Sequence, residues 1–446
     1  MVELPQLRDR DEDARTEIGS VFVANYPPFS VWSAAHLPRV AEALDRPPAP
    51  EEDTPSVGLY LHIPFCRKRC PFCYYRVYTD KNGRDVEAYL EALAGEVALY
   101  VRRPRLNGRS FDFVYFGGGT PSFLSSRQLQ RFADRIAPYL TGGAAREVTF
   151  ECEPGTLSRG KLETIRATGV TRLSLGVEHF DDAILEANGR AHKSRETLRA
   201  YDWARDVGFP QINIDLIAGM VGETEAKWRA TVAKALELDP DSVTIYQMEV
   251  PHNSLLSREA RAAGGAVPVA DWATKRAWVD HAFKLFEASG YVVSSAYTLI
   301  KASAPSDFLY RDALWHGAEM IGTGVASFGH VAGVHYQNVD QWDAYLDARR
   351  RGELPLARAL PVTPHQRLIR EMILQMKLGR LDAAAFRRKF DVDILDTFSD
   401  AFRSLVDEGL AELDAEQVWL TRAGLLRVDG LLPRFYESEY RGIRYS

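Results

Sequence analysis

The sequence predicts an α/β fold, a partial (β/α)6 barrel of the TIM type followed by a mostly helical, winged-helix-like domain. From residue 57 onward, short apolar runs alternate with amphipathic stretches, which is the pattern of repeated strand–helix units around a parallel sheet. Six such units with right-handed crossovers curl into a barrel that is open on one side. After residue 360 the pattern becomes helical and ends in two strand-like runs. Because the 446 residues exceed one average domain, two globular parts are expected.

The six predicted strands are short apolar runs bounded by polar or turn-forming residues. They span residues 57–63, 113–117, 148–153, 172–177, 211–217 and 242–250. The helices predicted between and after them span residues 86–102, 126–139, 159–168, 194–207, 224–238 and 271–289. Several of these helices begin at Ser, Thr or Asp and end just before a glycine, which is typical of helix caps.

Shifts in composition divide the chain into four predicted segments. Residues 1–55 form an N-terminal extension and linker, residues 56–300 the barrel, residues 301–360 a connection that closes it, and residues 361–446 the C-terminal domain. Within the extension, residues 8–15 carry mixed charges, residues 26–32 are rich in aromatics and proline, and residues 46–55 are typical of a linker. We expect the aromatic segment to pack over the barrel.

Composition excludes some classes of function. The 55 Lys and Arg residues against 61 Asp and Glu residues give a net charge of −6, so the chain lacks the basic surface that drives nucleic-acid binding. Acidic residues around the predicted wing, such as Glu412 and Asp414, disfavour phosphate contact there. No apolar run is long enough to span a bilayer, and no signal segment opens the chain, so we expect a cytoplasmic protein that does not bind membranes.

Cys66, Cys70 and Cys73 form a C-x3-C-x2-C run directly after the first predicted strand. Cysteine sulfur is the soft ligand that iron clusters prefer, and three thiolates on one face of an iron–sulfur cube leave one iron without a protein ligand. A zinc site with His62 as fourth ligand is an alternative, as is a disulfide, which a reducing cytoplasm disfavours. Cys152 lies in a predicted strand and is expected to be a buried apolar residue.

This cysteine spacing resembles the cluster motif of radical S-adenosylmethionine (SAM) enzymes, and other runs narrow the resemblance. Together with residues 59–66, the runs at 116–121, 172–177, 180–182, 213–217 and 321–324 resemble the oxygen-independent coproporphyrinogen III oxidase (HemN)-like branch. The resemblance covers most of residues 55–446. It implies a radical SAM barrel, a 4Fe-4S cluster on the three cysteines, reductive cleavage of SAM to a 5'-deoxyadenosyl radical, and a flavodoxin- or ferredoxin-like electron donor.

The same resemblance implies which residues bind SAM at the carboxyl ends of the strands. They are Tyr60, Gly118, Gly119, Thr120, Glu151, Glu178, Arg190, Asp215 and Ala218. Glu151 corresponds to the residue that holds the ribose hydroxyls, a suitable task for a carboxylate that accepts two O–H bonds. Tyr60 would lie beside the methionine part of SAM, and Tyr60 and Glu178 are the candidate catalytic residues. For the glycines an ordinary tight turn is the alternative, and for Arg190 a surface salt bridge.

Three departures from the family pattern affect the expected reaction. Glu178 replaces the family's glutamine, which removes a donor and adds a titratable group; this change either alters the ligand, with a second SAM as one candidate, or leaves the packing unchanged. Tyr75 stands where the decarboxylating oxidases have a further cysteine. Residues 308–315 lack the histidine that haem-chaperone relatives carry in the corresponding segment.

These departures favour a class C radical SAM methylase or cyclopropanase. Such an enzyme binds two SAM molecules and transfers a methyl or methylene group to an sp2 carbon of a small-molecule substrate in natural-product biosynthesis. Two alternatives stay open. One is an oxygen-independent coproporphyrinogen III oxidase or another tetrapyrrole-modifying radical SAM enzyme, and the other is a haem chaperone.

Overall fold

The computed structural model describes residues 19, 22–48, 55–140, 145–264, 267–303 and 307–443. The predicted mixed-charge stretch at residues 8–15 and most of the predicted linker lie outside these residues. Among the described helices, none has the length and apolar character needed to cross a membrane.

The strands of the described chain belong to two sheets. They are β1 Val57–Ile63, β2 Phe113–Gly118, β3 Glu147–Cys152, β4 Arg172–Glu178, β5 Gln211–Ala218, β6 Ser242–Gln247, β7 Tyr291–Val293, β8 Thr298–Lys301, β9 Glu319–Thr323, β10 Phe328–Val331, β11 Val334–Asn338, β12 Leu356–Pro361, β13 Arg380–Asp382, β14 Ala411–Leu413 and β15 Gln417–Leu420. All six predicted strands are confirmed as β1 to β6, with boundaries that differ by three residues or fewer.

The α-helices pack outside the large sheet and form most of the C-terminal domain. They are α1 Leu37–Asp45, α2 Gly83–Val101, α3 Ser126–Ile136, α4 Arg159–Ala167, α5 Asp182–Ala187, α6 Ser194–Val207, α7 Glu225–Leu238, α8 Leu255–Ala262, α9 Trp272–Ala288, α10 Leu309–Trp315, α11 Trp342–Arg350, α12 Pro364–Met376, α13 Ala383–Phe390, α14 Ile394–Thr397, α15 Ser399–Asp407, α16 Arg422–Leu425 and α17 Val428–Leu431. The six predicted helices correspond to α2, α3, α4, α6, α7 and α9.

The large sheet has twelve strands in the order β12-β11-β10-β9-β1-β2-β3-β4-β5-β6-β8-β7. Strands β1 to β6 are parallel neighbours in chain order, as expected for consecutive strand–helix units. Strand β9 pairs in parallel with β1, whereas β10, β11 and β12 continue the sheet antiparallel. The sequence prediction of six strands therefore missed the strands on both sides of the barrel.

Buried ion pairs hold β9, and aromatic contacts hold the N-terminal segment, against the rest of the protein. Glu319 of β9 is 2% exposed and bonds Arg105 at 2.8 Å and Arg109 at 2.6 Å. In the predicted aromatic segment, Trp32 stacks on His335 with ring centroids 5.1 Å apart. Tyr26 is fully buried. The expectation that this segment packs over the barrel is confirmed.

The C-terminal domain combines a helical part with a three-stranded sheet in the order β13-β15-β14. The two predicted strand-like runs are β14 and β15, and the turn between them is held by the Asp414 carboxylate, which accepts from the amides of Glu416 and Gln417 at 2.8 and 2.9 Å. Strand β13 was not predicted, because three residues carry too little pattern. The expected α/β class, with a partial barrel and a C-terminal, mostly helical domain, is confirmed.

Candidate functional site

The cysteine loop leaves the carboxyl end of β1 and lies at the mouth of the barrel. Cys66, Cys70 and Cys73 are free thiols that are partly buried. The Cys66 amide donates to the carbonyl of Tyr78 at 3.1 Å, and its sulfur lies 3.3 Å from Oγ1 of Thr120. The loop is therefore anchored both to its own return segment and to the turn after β2.

Basic residues of this loop hold its shape. Arg67 donates two hydrogen bonds to the Glu153 carboxylate, at 2.8 and 3.0 Å, and Arg69 donates to the carbonyl of Cys73 at 3.3 Å. Burial alone raises the pKa of Glu153, but hydrogen bonds from His192 and Arg67 outweigh it and lower the pKa to about 2. Arg67 thus ties the loop to the end of β3, and Arg69 closes the loop on itself.

The donor set fits a cluster rather than one metal ion. Within the described residues, no three His, Cys, Asp or Glu side chains are placed to share a single ion, so the zinc alternative with His62 is not assembled. His62 instead packs under the turn after β2, with Nδ1 3.4 Å from the Tyr60 hydroxyl. A cubane cluster has a different requirement, because each thiolate binds a separate iron at its own corner. Three free thiols on one short loop suit that requirement.

Close backbone packing explains the two glycines after β2. Gly118 has φ 115°, and a Cβ there would lie 2.6 Å from the His62 ring. A Cβ on Gly119 would lie 2.9 Å from main-chain atoms of Pro64 and Phe65. The turn can therefore lie directly against the cysteine loop only because these residues lack side chains. Thr120 follows at the same edge and faces Cys66.

Glu151 lies near the end of β3, with one donor on each carboxylate oxygen. Tyr115 donates to Oε1 at 2.7 Å, and the Gly118 amide donates to Oε2 at 3.1 Å. Burial raises the pKa of Glu151 to about 7; the neighbouring Asp215 carboxyl adds to the rise, and the bond from Tyr115 opposes it. Each oxygen keeps a free lone pair, so the carboxylate can accept two more O–H bonds.

Glu178 and Arg190 connect the end of β4 to the cysteine loop. Glu178 has φ 63° at a bulge in the β4–β5 pairing, a left-handed conformation that is rare for a residue with a side chain. Its Oε1 lies 3.2 Å from Nη2 of Arg190. Arg190 also donates to the carbonyl of Gly176 at 3.2 Å and to Sγ of Cys70 at 3.6 Å. Arg190 therefore does form a salt bridge, but a mostly buried one, since its side chain is 15% exposed and that of Glu178 is 12% exposed.

The remaining predicted residues divide into two groups. Tyr60 stacks on Tyr115 with centroids 5.8 Å apart, and burial raises its pKa well above the usual value. Asp215 accepts from Ser174 at 3.0 Å and from Asn213 at 2.9 Å, and burial raises its pKa to about 6. Ala218 differs from both, because it is fully buried, its carbonyl accepts from the Met248 amide, and it does not belong to the cavity wall that the described residues form.

One cavity of about 1340 Å³ brings the predicted residues together. Its wall includes the three cysteines and every predicted SAM-binding residue except Ala218, namely Tyr60, Gly118, Gly119, Thr120, Glu151, Glu178, Arg190 and Asp215. The N-terminal segment contributes Phe29, and the C-terminal domain contributes Leu426. The aromatic segment, which was expected to pack over the barrel, therefore also lines part of the cavity.

Several cavity residues were not predicted from the sequence. They are Tyr115, Arg172, Phe308, Tyr310 and Arg311. Arg172 carried a usable signal, because a charged residue that opens a buried parallel strand must be paired or serve a ligand. The other side chains reach the cavity from β2 and from the segment around α10, and no local sequence pattern predicts their place on the cavity wall.

Comparisons with known proteins agree with this geometry. Residues 60–235 match the family model of the radical SAM superfamily, and residues 362–427 match the HemN C-terminal domain. These matches support the radical SAM superfamily, in its HemN and HemW branch. The solved structure of coproporphyrinogen III oxidase (HemN) from Escherichia coli superposes with a TM-score of 0.79 at 22% identity, covering 94% of this chain and 99% of that chain, so this chain shares its fold.

Two curated relatives carry the two names found in this branch. The heme chaperone HemW of Bacillus subtilis is 27% identical over 369 residues, which is 82% of this chain and 96% of the relative. The oxygen-independent coproporphyrinogen III oxidase of Escherichia coli is 26% identical over 414 residues, which is 88% of this chain and 86% of the relative. These relatives support the branch, and with it a 4Fe-4S cluster and SAM, but they do not support the methylase subgroup that the motif departures favoured.

Proposed function

We propose that the protein is a radical SAM enzyme that cleaves SAM beside Cys66, Cys70 and Cys73 and acts on an organic molecule in the same cavity. The observation that carries this proposal is the shared cavity wall, on which the cysteine loop, the Glu151 carboxylate and the Arg190 guanidinium all open. A bound 4Fe-4S cluster would supply the electron for SAM cleavage.

The chain's own residues would bind and orient SAM. The three thiolates would hold the cluster, and the carbonyls of the turn at Gly118 and Gly119 would accept from the amino group, because the amides of both residues already donate to Glu151 and Ile63. Glu151 would accept from the ribose hydroxyls through its free lone pairs. Arg190 would keep the loop at a fixed distance from β4.

The size of the cavity supports a second organic molecule beside SAM. A volume of about 1340 Å³ exceeds the roughly 300–1,000 Å³ that is typical of small-molecule pockets. The relatives named as coproporphyrinogen oxidases and haem chaperones support a tetrapyrrole as this second molecule. We therefore propose tetrapyrrole-directed radical chemistry as the leading reaction class.

The second candidate is methyl or methylene transfer with a second SAM as donor. It is supported by two features of the site: Tyr75 stands in place of the extra oxidase cysteine and is 48% exposed, and Glu178 adds a carboxylate to the cavity wall. The same volume that accepts a tetrapyrrole would accept a second SAM. Isotope labelling separates the two reactions.

Cleavage of SAM is the first test. Protein that is reconstituted anaerobically with iron and sulfide and treated with a strong reductant should release 5'-deoxyadenosine, and it should contain about four irons per chain, the content of one such cluster. Cys66→Ala should abolish both the release of 5'-deoxyadenosine and the binding of the four irons. Cys152→Ala is the matched control, because Cys152 is 4% exposed and lies in β3, and it should keep both. A Cys66→Ala variant that still cleaves SAM would overturn the proposal.

The reaction class needs a second experiment. Coproporphyrinogen III should yield carbon dioxide if the leading class is right. With SAM that carries a deuterated methyl group, deuterium should appear in 5'-deoxyadenosine only if a second SAM is the donor. Retention of haem in a fixed ratio to protein, with neither product, would instead indicate the chaperone.

A further inference from the structure

Two arginines at the amino half of the barrel lie on the cavity with unused hydrogen-bonding capacity. Arg172, the first residue of β4, is 1% exposed, and its Nε has no hydrogen-bond partner among the described residues. Arg311 of α10 is 7% exposed, and its Nη1 is likewise unpartnered within the described chain. An unsatisfied donor on a buried, permanently charged group is costly, so a ligand in the cavity would remove a penalty.

Both guanidinium groups flank the same aromatic ring. The Arg172 guanidinium carbon lies 3.9 Å from the centroid of Phe308, and that of Arg311 lies 5.7 Å from it. The ring of Tyr310 lies 5.8 Å from Phe308 and 4.2 Å from Tyr115. The two charges therefore border an aromatic surface that leads towards Glu151, the residue bonded by Tyr115.

The acidic groups near Arg172 are already engaged. Arg172 acts on Glu151 and Asp215 through charge alone, since no hydrogen bond joins it to either carboxyl in the described structure. Glu151 accepts from Tyr115 and Gly118, and Asp215 accepts from Ser174 and Asn213. Arg311 donates from Nε to Asp312 and from Nη2 to Ser294, both at 2.7 Å, and its Nη1 has no hydrogen-bond partner among the described residues.

On the basis of the proposed function, we infer that Arg172 and Arg311 bind a carboxylate of the substrate, whose planar, unsaturated body packs on Phe308 and Tyr310. A guanidinium fork matches the geometry of a carboxylate, and charge-assisted bonds of this kind are strong where water is excluded. The carboxylate of SAM is not the expected occupant, because it belongs beside the cysteine loop, and about 20 Å of strand separates Arg172 from Glu178 at the other end of β4. The substrate class is thus an aromatic or polyunsaturated organic acid.

A matched pair of probes tests this inference without knowledge of the true substrate. Binding of 2-naphthoate and of 2-naphthamide is measured by fluorescence on the reconstituted protein with saturating SAM, so that SAM already fills its own site. The wild type should bind the acid at least about tenfold more tightly than the amide, since bonds to charged groups contribute that much. Arg172→Met and Arg311→Met should each reduce this preference.

Arg358→Met is the control, because Arg358 lines the same cavity but already donates to Gln337 and to the carbonyl of Phe29. It should keep the preference. If Arg172→Met does not fold, Arg172→Lys keeps the charge without the fork and should retain only part of the preference. Equal binding of acid and amide by the wild type, or an unchanged preference in both Met variants, would overturn the inference. Because 5'-deoxyadenosine release is measured separately, either failure is distinguishable from a failure of the proposed function.

Discussion

The Glu151→Gln variant tests whether the partly buried carboxylate near the end of β3 controls SAM binding through its charge. Burial raises the pKa of Glu151 from the ordinary 4.5 to about 7, so the side chain changes charge within the physiological range. If only the ionised carboxylate accepts from both ribose hydroxyls, the fraction of protein molecules with Glu151 ionised, and so able to bind SAM, is about 3% at pH 5.5. The affinity of the wild type for SAM should then fall about thirtyfold between pH 8.5 and pH 5.5, which is about 2 kcal/mol.

The same shift affects the stability of the ligand-free protein with the opposite sign. The folded pKa lies above the unfolded value, so the folded state binds more protons between pH 4.5 and 7. The contribution of Glu151 to the free energy of unfolding is fully present below pH 4.5 and is lost as the pH rises through 7. Its upper limit is about 3 kcal/mol, reduced because Glu151 is only half-buried.

Titration of SAM into reconstituted protein by calorimetry, at half-unit steps from pH 5.5 to 8.5, measures the effect. Glu151→Gln should bind SAM more weakly at pH 8.5 and show a flat pH profile. Glu96→Gln is the matched control, because burial also raises the pKa of Glu96 to about 7 although it lies in α2, away from the cavity wall. That control should keep the thirtyfold slope. A flat profile in the wild type, or a slope that survives in Glu151→Gln, would refute the reasoning.

Two further substitutions test the scaffold and the strained residue. Glu319→Gln should lower the free energy of unfolding in urea by about 3–5 kcal/mol, because it removes the charged partner of a buried ion pair in which the Arg105 side chain is 1% exposed. Glu353→Gln is the control and should leave the free energy of unfolding nearly unchanged, because its partner Arg351 is exposed. Glu178→Gly should relieve about 1 kcal/mol of backbone strain and leave the melting temperature unchanged or higher. The variant should nevertheless release less 5'-deoxyadenosine, because Arg190 loses its carboxylate partner. A melting temperature that falls by several degrees would show that Glu178 stabilises the fold instead.

The sequence by itself determined the six parallel strands, most of their helices and the cysteine loop. Strands β1 to β6 are largely buried on both faces because they lie between the helices and the barrel interior, so each strand can be recognised from its own segment of sequence. Alternation along β3 also places Glu151 and Glu153 on one side and Cys152 on the other. The carboxyl ends of parallel strands share one edge, which is why most of the predicted site residues meet there.

The tertiary structure alone decided the rest, because it depends on contacts between distant parts of the chain. The parallel pairing of β9 with β1 joins residues more than 250 positions apart, and no periodicity in residues 319–323 specifies that partner. The left-handed backbone of Glu178 follows from the bulge in the pairing of β4 with β5. The proposed role of Arg172 in binding depends on its contact with Phe308, which lies more than 130 positions away in the sequence. Tertiary packing determines the short strands and helices and the side chains that reach across the barrel. Because packing depends on contacts between distant segments, it cannot be predicted from the sequence of any one segment.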